Sequence, residues 1–264
     1  MRPLSECPSD VLSRTEGVLA DIDDTLTTDG QLKATAYAAL EALRDAGLLV
    51  IPITGRPAGW CDHIARMWPV DAVVGENGAF AFRYDAAERR MHRLYVDDAE
   101  TRRDKRRRLT VIRDAVLAEV PGAAVAADQA FRETDLAIDF SEDVARLPDS
   151  DIARIVDIFA RHGATAKISS IHVNGWFGAY DKLTMTLRLM AEAFAVDDDR
   201  LAERYVFVGD SPNDAPMFVF FANAVGVANV RDFEAQLAHR PTWITGARSG
   251  AGFVELAEAL LAVR

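Results

Sequence analysis

The sequence predicts an α/β fold, a Rossmann-like parallel sheet with an α+β module inserted into it. Three observations carry the prediction. Short apolar runs alternate with helix-period segments in the first third of the 264 residues. The middle changes to strands in pairs with helices between them. The last third returns to the alternation, as a fold interrupted by an insert would.

In order, Val18-Leu19-Ala20 reads as a buried strand. Leu32, Tyr37, Leu40, Leu43 and Leu48 form a stripe at mostly helical spacing, with Gly47 as its C-cap. Residues 48–53 are the next strand, 58–67 a helix, and Ala72-Val73-Val74 a short strand ending at Gly75. Residues 79–84 and 91–96 then read as an antiparallel hairpin around Asp85-Ala86-Ala87-Glu88. A charged helix over 99–119 stops at Pro121-Gly122, and a strand over 136–140 follows. The next helix runs from a Ser150 N-cap to His162, and two strands are expected over 166–173 and 175–179, around Asn174-Gly175. The last third reads as a helix over 182–194, a strand over 205–208 ending at Gly209-Asp210, a short helix over 215–221, strands near 224–227 and 242–245, and a helix over 253–263. The expected division is a discontinuous core of 1–83 and 180–264 around an inserted domain of 84–179.

Half the residues are hydrophobic, enough for a packed core, and the formal net charge is −11. That balance argues against broad nucleic-acid binding, which needs a positive field. It suits a protein that meets anionic substrates with the help of metal ions. The basic run Arg102-Arg103-Asp104-Lys105-Arg106-Arg107-Arg108 has acidic neighbours and reads as a solvated helix face. Cys7 and Cys61 fit neither a disulfide scaffold nor a metal-binding Cys pair. No apolar run approaches the ~20 residues of a membrane span, and the polar N-terminus is unlike a secretory signal. A cytoplasmic protein is the expectation, acting on a small molecule, with neither nucleic acid nor membrane as partner.

Four segments fall at or just after predicted strand ends, the edge where open parallel sheets bind ligands. They are Asp21-Ile22-Asp23-Asp24-Thr25, Thr54-Gly55-Arg56, Lys182, and Gly209-Asp210-Ser211-Pro212-Asn213-Asp214. Asp21 and Asp23, two apart on extended chain, point to one side and can share a reacting centre. Each segment taken singly also describes an ordinary turn, cap or surface lysine. All four together, in this order, do not.

With Thr54, Lys182 and Gly209-Asp210-x-x-Asn213-Asp214, the Asp21-x-Asp23-x-Thr25 loop resembles the motif set of the haloacid dehalogenase-type phosphohydrolase superfamily. Asp24 stands where that family frequently has Gly. The insert follows the Thr54 motif and precedes Lys182, the place of a class II cap. Gly75-Glu76-Asn77-Gly78-Ala79 and Val225-Gly226-Val227-Ala228-Asn229 resemble the class IIB subgroup, which includes Cof-type, sucrose-phosphate and mannosylphosphoglycerate phosphatases and phosphomannomutases.

The resemblance implies a Mg²⁺-dependent phosphatase of sugar phosphates or glycosides. Asp21 is then the nucleophile and Asp23 the acid/base. Asp21, the Asp23 carbonyl and Asp210 are the metal ligands, with Asp214 holding metal-bound water or Lys182. Thr54, Gly55 and Lys182 bind phosphate, and Asn213 assists the metal site. A phosphosugar mutase and a catalytically silent binding protein on the same fold are the alternatives. In the insert, His172 and Asn174 share one face if Ser169-Ser170-Ile171-His172-Val173-Asn174-Gly175-Trp176 is a strand, which suits sugar hydroxyls. Asn174-Gly175 equally describes a hairpin turn. Arg132 reads as a partner for a second anionic group or as a surface ion pair, and Arg56 as facing substrate or cap.

Overall fold

The computed structural model describes residues 1–169 and 171–264. Along the chain run β1 (Arg2–Pro3), α1 (Ser9–Ser13), β2 (Gly17–Ala20), α2 (Ala34–Asp45), β3 (Leu49–Pro52), α3 (Ala58–Met67) and β4 (Val73–Gly75). The hairpin β5 (Phe80–Asp85) and β6 (Arg90–Tyr95) follows, then α4 (Ala99–Glu119), β7 (Ala124–Val125), β8 (Leu136–Asp139), α5 (Asp149–Arg161), β9 (Thr165–Ile168) and β10 (His172–Trp176). The chain closes with α6 (Lys182–Phe194), α7 (Asp198–Arg204), β11 (Tyr205–Gly209), α8 (Ala215–Phe220), β12 (Val225–Gly226), β13 (Trp243–Ile244) and α9 (Ser249–Leu261).

The main sheet has the order β1-β13-β12-β11-β2-β3, all neighbours parallel. A single bridge from Ile53 to Val74 extends it to β4. Its strands β2, β3 and β11 are buried and largely apolar because helices cover both faces. Val18, Ala20, Val50 and Val208 pack with Leu40, Leu43, Phe253 and Leu256 of α2 and α9. Leu19, Ile51 and Phe207 point the other way, onto Met185 and Leu189 of α6 and Met217 and Phe218 of α8.

The hairpin pairs with β4 and sends Phe80, Phe82 and Tyr95 into the first of these layers. The boundary expected near Tyr84 thus falls inside a hairpin whose aromatic side chains pack with the core. Beyond it, β7-β8-β10-β9 form a separate antiparallel sheet. Leu136, Ile138 and Val173 on one face of that sheet pack against Ile112 and Val116 of α4 and Ile155 and Phe159 of α5. No helix among the described residues is long and apolar enough to cross a membrane.

The expectation of two strands meeting at Asn174-Gly175 is corrected. Both residues lie within β10, in register with Lys167 and Ala166 of β9 and with Ala137 and Leu136 of β8. The glycine serves packing: a Cβ on Gly175 would stand 2.1 Å from the Phe159 ring of α5. Likewise Ser150 lies inside α5, which Pro148 precedes as N-cap residue.

Candidate active site

The carboxyl ends of β2, β3 and β11 converge beneath the second sheet. Directly after β2, the Asp21 N–H still bonds to Val208 O at 2.9 Å, so the first aspartate is fixed by the sheet itself. The chain then turns sharply. Leu26 N and Thr27 N both donate to Ile22 O, and Asp24 takes the left-handed conformation at φ 57°. Aspartate tolerates that region better than most residues, which is how it serves at this turn.

The β11 loop brings in the other carboxylates. Asp214 Oδ2 accepts the N–H groups of Asp210 at 3.2 Å and Ser211 at 3.4 Å. A Cβ on Gly209 would meet that same oxygen at 2.4 Å, so the loop closes only over glycine. Lys182 opens α6, whose N-terminus is capped reciprocally by Asp181 and Thr184. Gly78, at φ 101°, lies against the Asp181 carbonyl and admits no side chain there. The Gly75–Ala79 segment thereby seats the start of α6.

Lys182 Nζ is 2.7 Å from both Asp21 Oδ1 and Asp214 Oδ1, and all three side chains are buried. Burial disfavours its charge, but Asp21 and Asp214 outweigh that and raise its pKa. Burial pushes the Asp21 carboxyl up to about 7, Lys182 pulling it down while Asp214 and Asp23 push it further up. Asp210 is raised well above the carboxylate range, by burial first and then by Asp21 and Asp214. Oxygens of Asp21, Asp210 and Asp214 lie within 4.8 Å of one another. Three buried carboxylates against one ammonium leave a deficit of positive charge, and hard oxygen donors are what Mg²⁺ takes.

Thr54 is fully buried after β3, and its Oγ1 accepts the Arg56 N–H at 3.0 Å, leaving its hydroxyl proton to donate. Arg56 grips Asp23 with three contacts between 2.7 and 3.1 Å. Its guanidinium lies 4.6 Å over the Trp60 ring and is 3.7 Å from Glu142 and 4.0 Å from Asp128 in the insert. It therefore faces both the acid/base candidate and the cap. Asn213 takes a hydrogen bond from Ser211 Oγ at 2.8 Å.

These groups floor a cavity of about 470 Å³ roofed by the second sheet. His172, Asn174, Lys167 and Arg132 line it from above, and Asp21, Asp23, Gly55, Arg56, Asp210 and Asn213 from below. His172 and Asn174 do share the face of β10 opposite the helices, and Lys167 stands beside Asn174 on β9. Asn174 Nδ2 donates to Asp135 at 3.2 Å, and His172 Nε2 is 2.8 Å from Glu142. Of the string quoted around them, Ser170 lies outside the described residues. Arg132 is buried, bound to Asp128, Asp135 and the Gly55 carbonyl, so its ion pairs are internal rather than on the surface.

Sequence reasoning gave no role to several contributors. Asn229 donates to Asp210 Oδ2 and to Asp24 O and accepts from Ser249 N, bracing the acidic loop. Thr25 Oγ1 reaches Asp210 at 3.4 Å. Glu76 bonds across to the insert. Asn229 and Glu76 stood in strings singled out only for resemblance; their position just past β12 and β4 was the available signal. Glu142 and Asp128 carried none.

A family profile for haloacid dehalogenase-like hydrolases matches residues 18–103. A phosphoglycolate phosphatase of Haloarcula marismortui is 27% identical over 251 residues, covering 92% of this chain and 96% of that protein. The structure of Thermoplasma acidophilum 0175 superposes with a TM-score of 0.70 at 17% identity, over 95% of this chain and 99% of the other. The sucrose-phosphatase of Synechocystis, solved with sucrose and phosphate, gives 0.63 at 15% identity, over 94% and 98%. The profile thus spans the first two motifs, and the fold of these solved structures is shared over nearly the whole chain, whose own α+β module is inserted between the second and third motifs.

Proposed function

We propose that this protein is a Mg²⁺-dependent phosphomonoesterase that hydrolyses a phosphorylated sugar or glycoside through an aspartyl-phosphate on Asp21. One observation carries the reading: Asp21, Asp23, Lys182, Asp210 and Asp214, from three distant segments, meet in or directly beneath one roofed cavity.

Asp21, Asp210 and Asp214, with the main-chain carbonyl of Asp23, would hold the ion, which when bound offsets the repulsion between carboxylate and phosphate and polarises the phosphoryl group. Asp21 attacks phosphorus, forming the aspartyl-phosphate bond as the ester P–O bond breaks. Asp23 gives its proton to the departing alkoxide, then takes one from the water that attacks the aspartyl-phosphate and frees inorganic phosphate. Lys182 and the Thr54 hydroxyl bind phosphate oxygens, Gly55 leaves room for them, and Asn213 steadies the acidic loop. The cap excludes water, and His172 and Asn174 meet hydroxyl groups of the leaving alcohol.

A phosphorylated hydroxy acid is the second reading for the substrate. The relative from Haloarcula marismortui, which aligns over 92% of this chain, favours it.

The test is phosphate release from a panel of phosphorylated mono- and disaccharides, glycerate glycosides and hydroxy acids. Turnover should require Mg²⁺, stop on chelation, and fall by about a thousandfold or more in Asp21→Asn. Turnover by that variant at the wild-type rate would remove Asp21 as nucleophile.

A further inference from the structure

The cations that line the cavity are not equivalent. Arg56 is paired with Asp23, and Arg132 with Asp128 and Asp135. Beneath them Lys182 is shared by Asp21 and Asp214. Lys167 alone has no carboxylate within 4.0 Å among the described residues, although it too lines the cavity. Its strand, β9, is the outer strand of the cap sheet, and its backbone position is locked opposite Asn174 by the β9–β10 register. The cap therefore holds one uncommitted ammonium beside an amide, across the cavity from the phosphate-binding floor.

Resting on the phosphatase reading above, the geometry points to Lys167 as a specificity residue that binds a carboxylate on the leaving group, with Asn174 beside it. The substrate class is then a phosphate monoester of a hydroxy acid or sugar acid, with the phosphate at Asp21 and the carboxylate at Lys167. A single ammonium matches a monoanion. A second phosphate, with nearly twice the charge, would call for more than one cation.

The experiment compares matched esters that differ only by carboxylate against hydroxymethyl: phosphoglycolate with hydroxyethyl phosphate, 3-phosphoglycerate with glycerol phosphate, 6-phosphogluconate with glucitol 6-phosphate. A bisphosphate, fructose 1,6-bisphosphate, is added. Wild-type enzyme should favour at least one acid over its neutral partner. Lys167→Gln should reduce that preference about tenfold or more, chiefly through KM, and Lys167→Arg should restore most of it. Equal kcat/KM for acid and neutral esters, or a loss in K167Q that is the same for both, overturns the proposal and leaves Lys167 as a charge guarding a sheet edge. A preference for the bisphosphate that K167Q abolishes overturns the carboxylate assignment. Failure to release phosphate from any ester, p-nitrophenyl phosphate included, overturns the phosphatase reading and this proposal with it.

Discussion

Asp23 in the β2 loop is held by a guanidinium, and that contact orients it. Arg56 meets both of its oxygens, and Trp60 backs the guanidinium plane. The carboxylate is thereby kept out of the Asp21–Asp210–Asp214 group, whose oxygens gather around a different point. Two aspartates two residues apart can then divide the labour, one serving phosphorus and metal, the other the leaving oxygen. This predicts a dependence on the leaving group. Asp23→Asn should lower kcat/KM for alkyl phosphates by about 10²–10⁴, the usual worth of a positioned general acid. For p-nitrophenyl phosphate, whose leaving group departs without a proton, the loss should be much smaller. Steady-state kinetics on the two esters decides it, and an equal loss on both would remove the general-acid role.

At the scale of elements, the cap strand β10 shows how a local signal yields to packing. Asn-Gly between apolar runs is a strong hairpin signal because both residues accept positive φ. Here the pair runs extended in mid-strand, and Gly175 is small because Phe159 of α5 fills the space its side chain would take. Gly175→Ala should therefore destabilise the protein by about 1–3 kcal/mol through overpacking. Urea unfolding of G175A, of Phe159→Leu and of the double variant checks this: the smaller ring-site residue should recover part of the loss, and strict additivity would disconnect the two positions. The same contrast explains what was legible. The strands β2, β3 and β11 are buried on both faces, so their apolar runs declared themselves, and the motif residues follow directly at their ends. The hairpin 80–95 was also readable, but its allegiance to the core depends on Phe80, Phe82 and Tyr95 finding the first apolar layer, a tertiary fact. The bracing of Asp210 by Asn229, across 19 residues of chain, has no local signature either.

At the scale of the whole molecule, Glu76 joins core to cap. It follows β4, is fully buried, and accepts the N–H of Ala58 at 2.9 Å from the start of α3. Its two oxygens also accept the N–H groups of Glu133, Thr134 and Asp135 and the Thr134 hydroxyl from the insert. Burial pushes its carboxyl up to about 7, Asp135 adding to the effect, while the Thr134 and Glu133 hydrogen bonds and Arg132 oppose it. The sign of the linkage follows. Between the ordinary value of 4.5 and about 7 the folded chain holds a proton on Glu76 that the unfolded chain has released. This group's contribution is thus complete below pH 4.5 and is lost as pH rises through 7. The loss is on the order of 3 kcal/mol. Other buried carboxylates, Asp135 among them, act in the same direction, so the wild-type profile alone does not isolate it. The difference between wild type and Glu76→Gln does. The amide turns N–H groups toward N–H donors, so E76Q should be the less stable protein at low pH. Its deficit relative to wild type should then shrink as pH rises from 5 to 7.5, because only the wild type loses the bound proton. Urea unfolding of both proteins across that range, without metal, measures the deficit. A deficit that stays constant with pH would show that Glu76 is already ionised in the fold at pH 5, its five donors having outweighed burial.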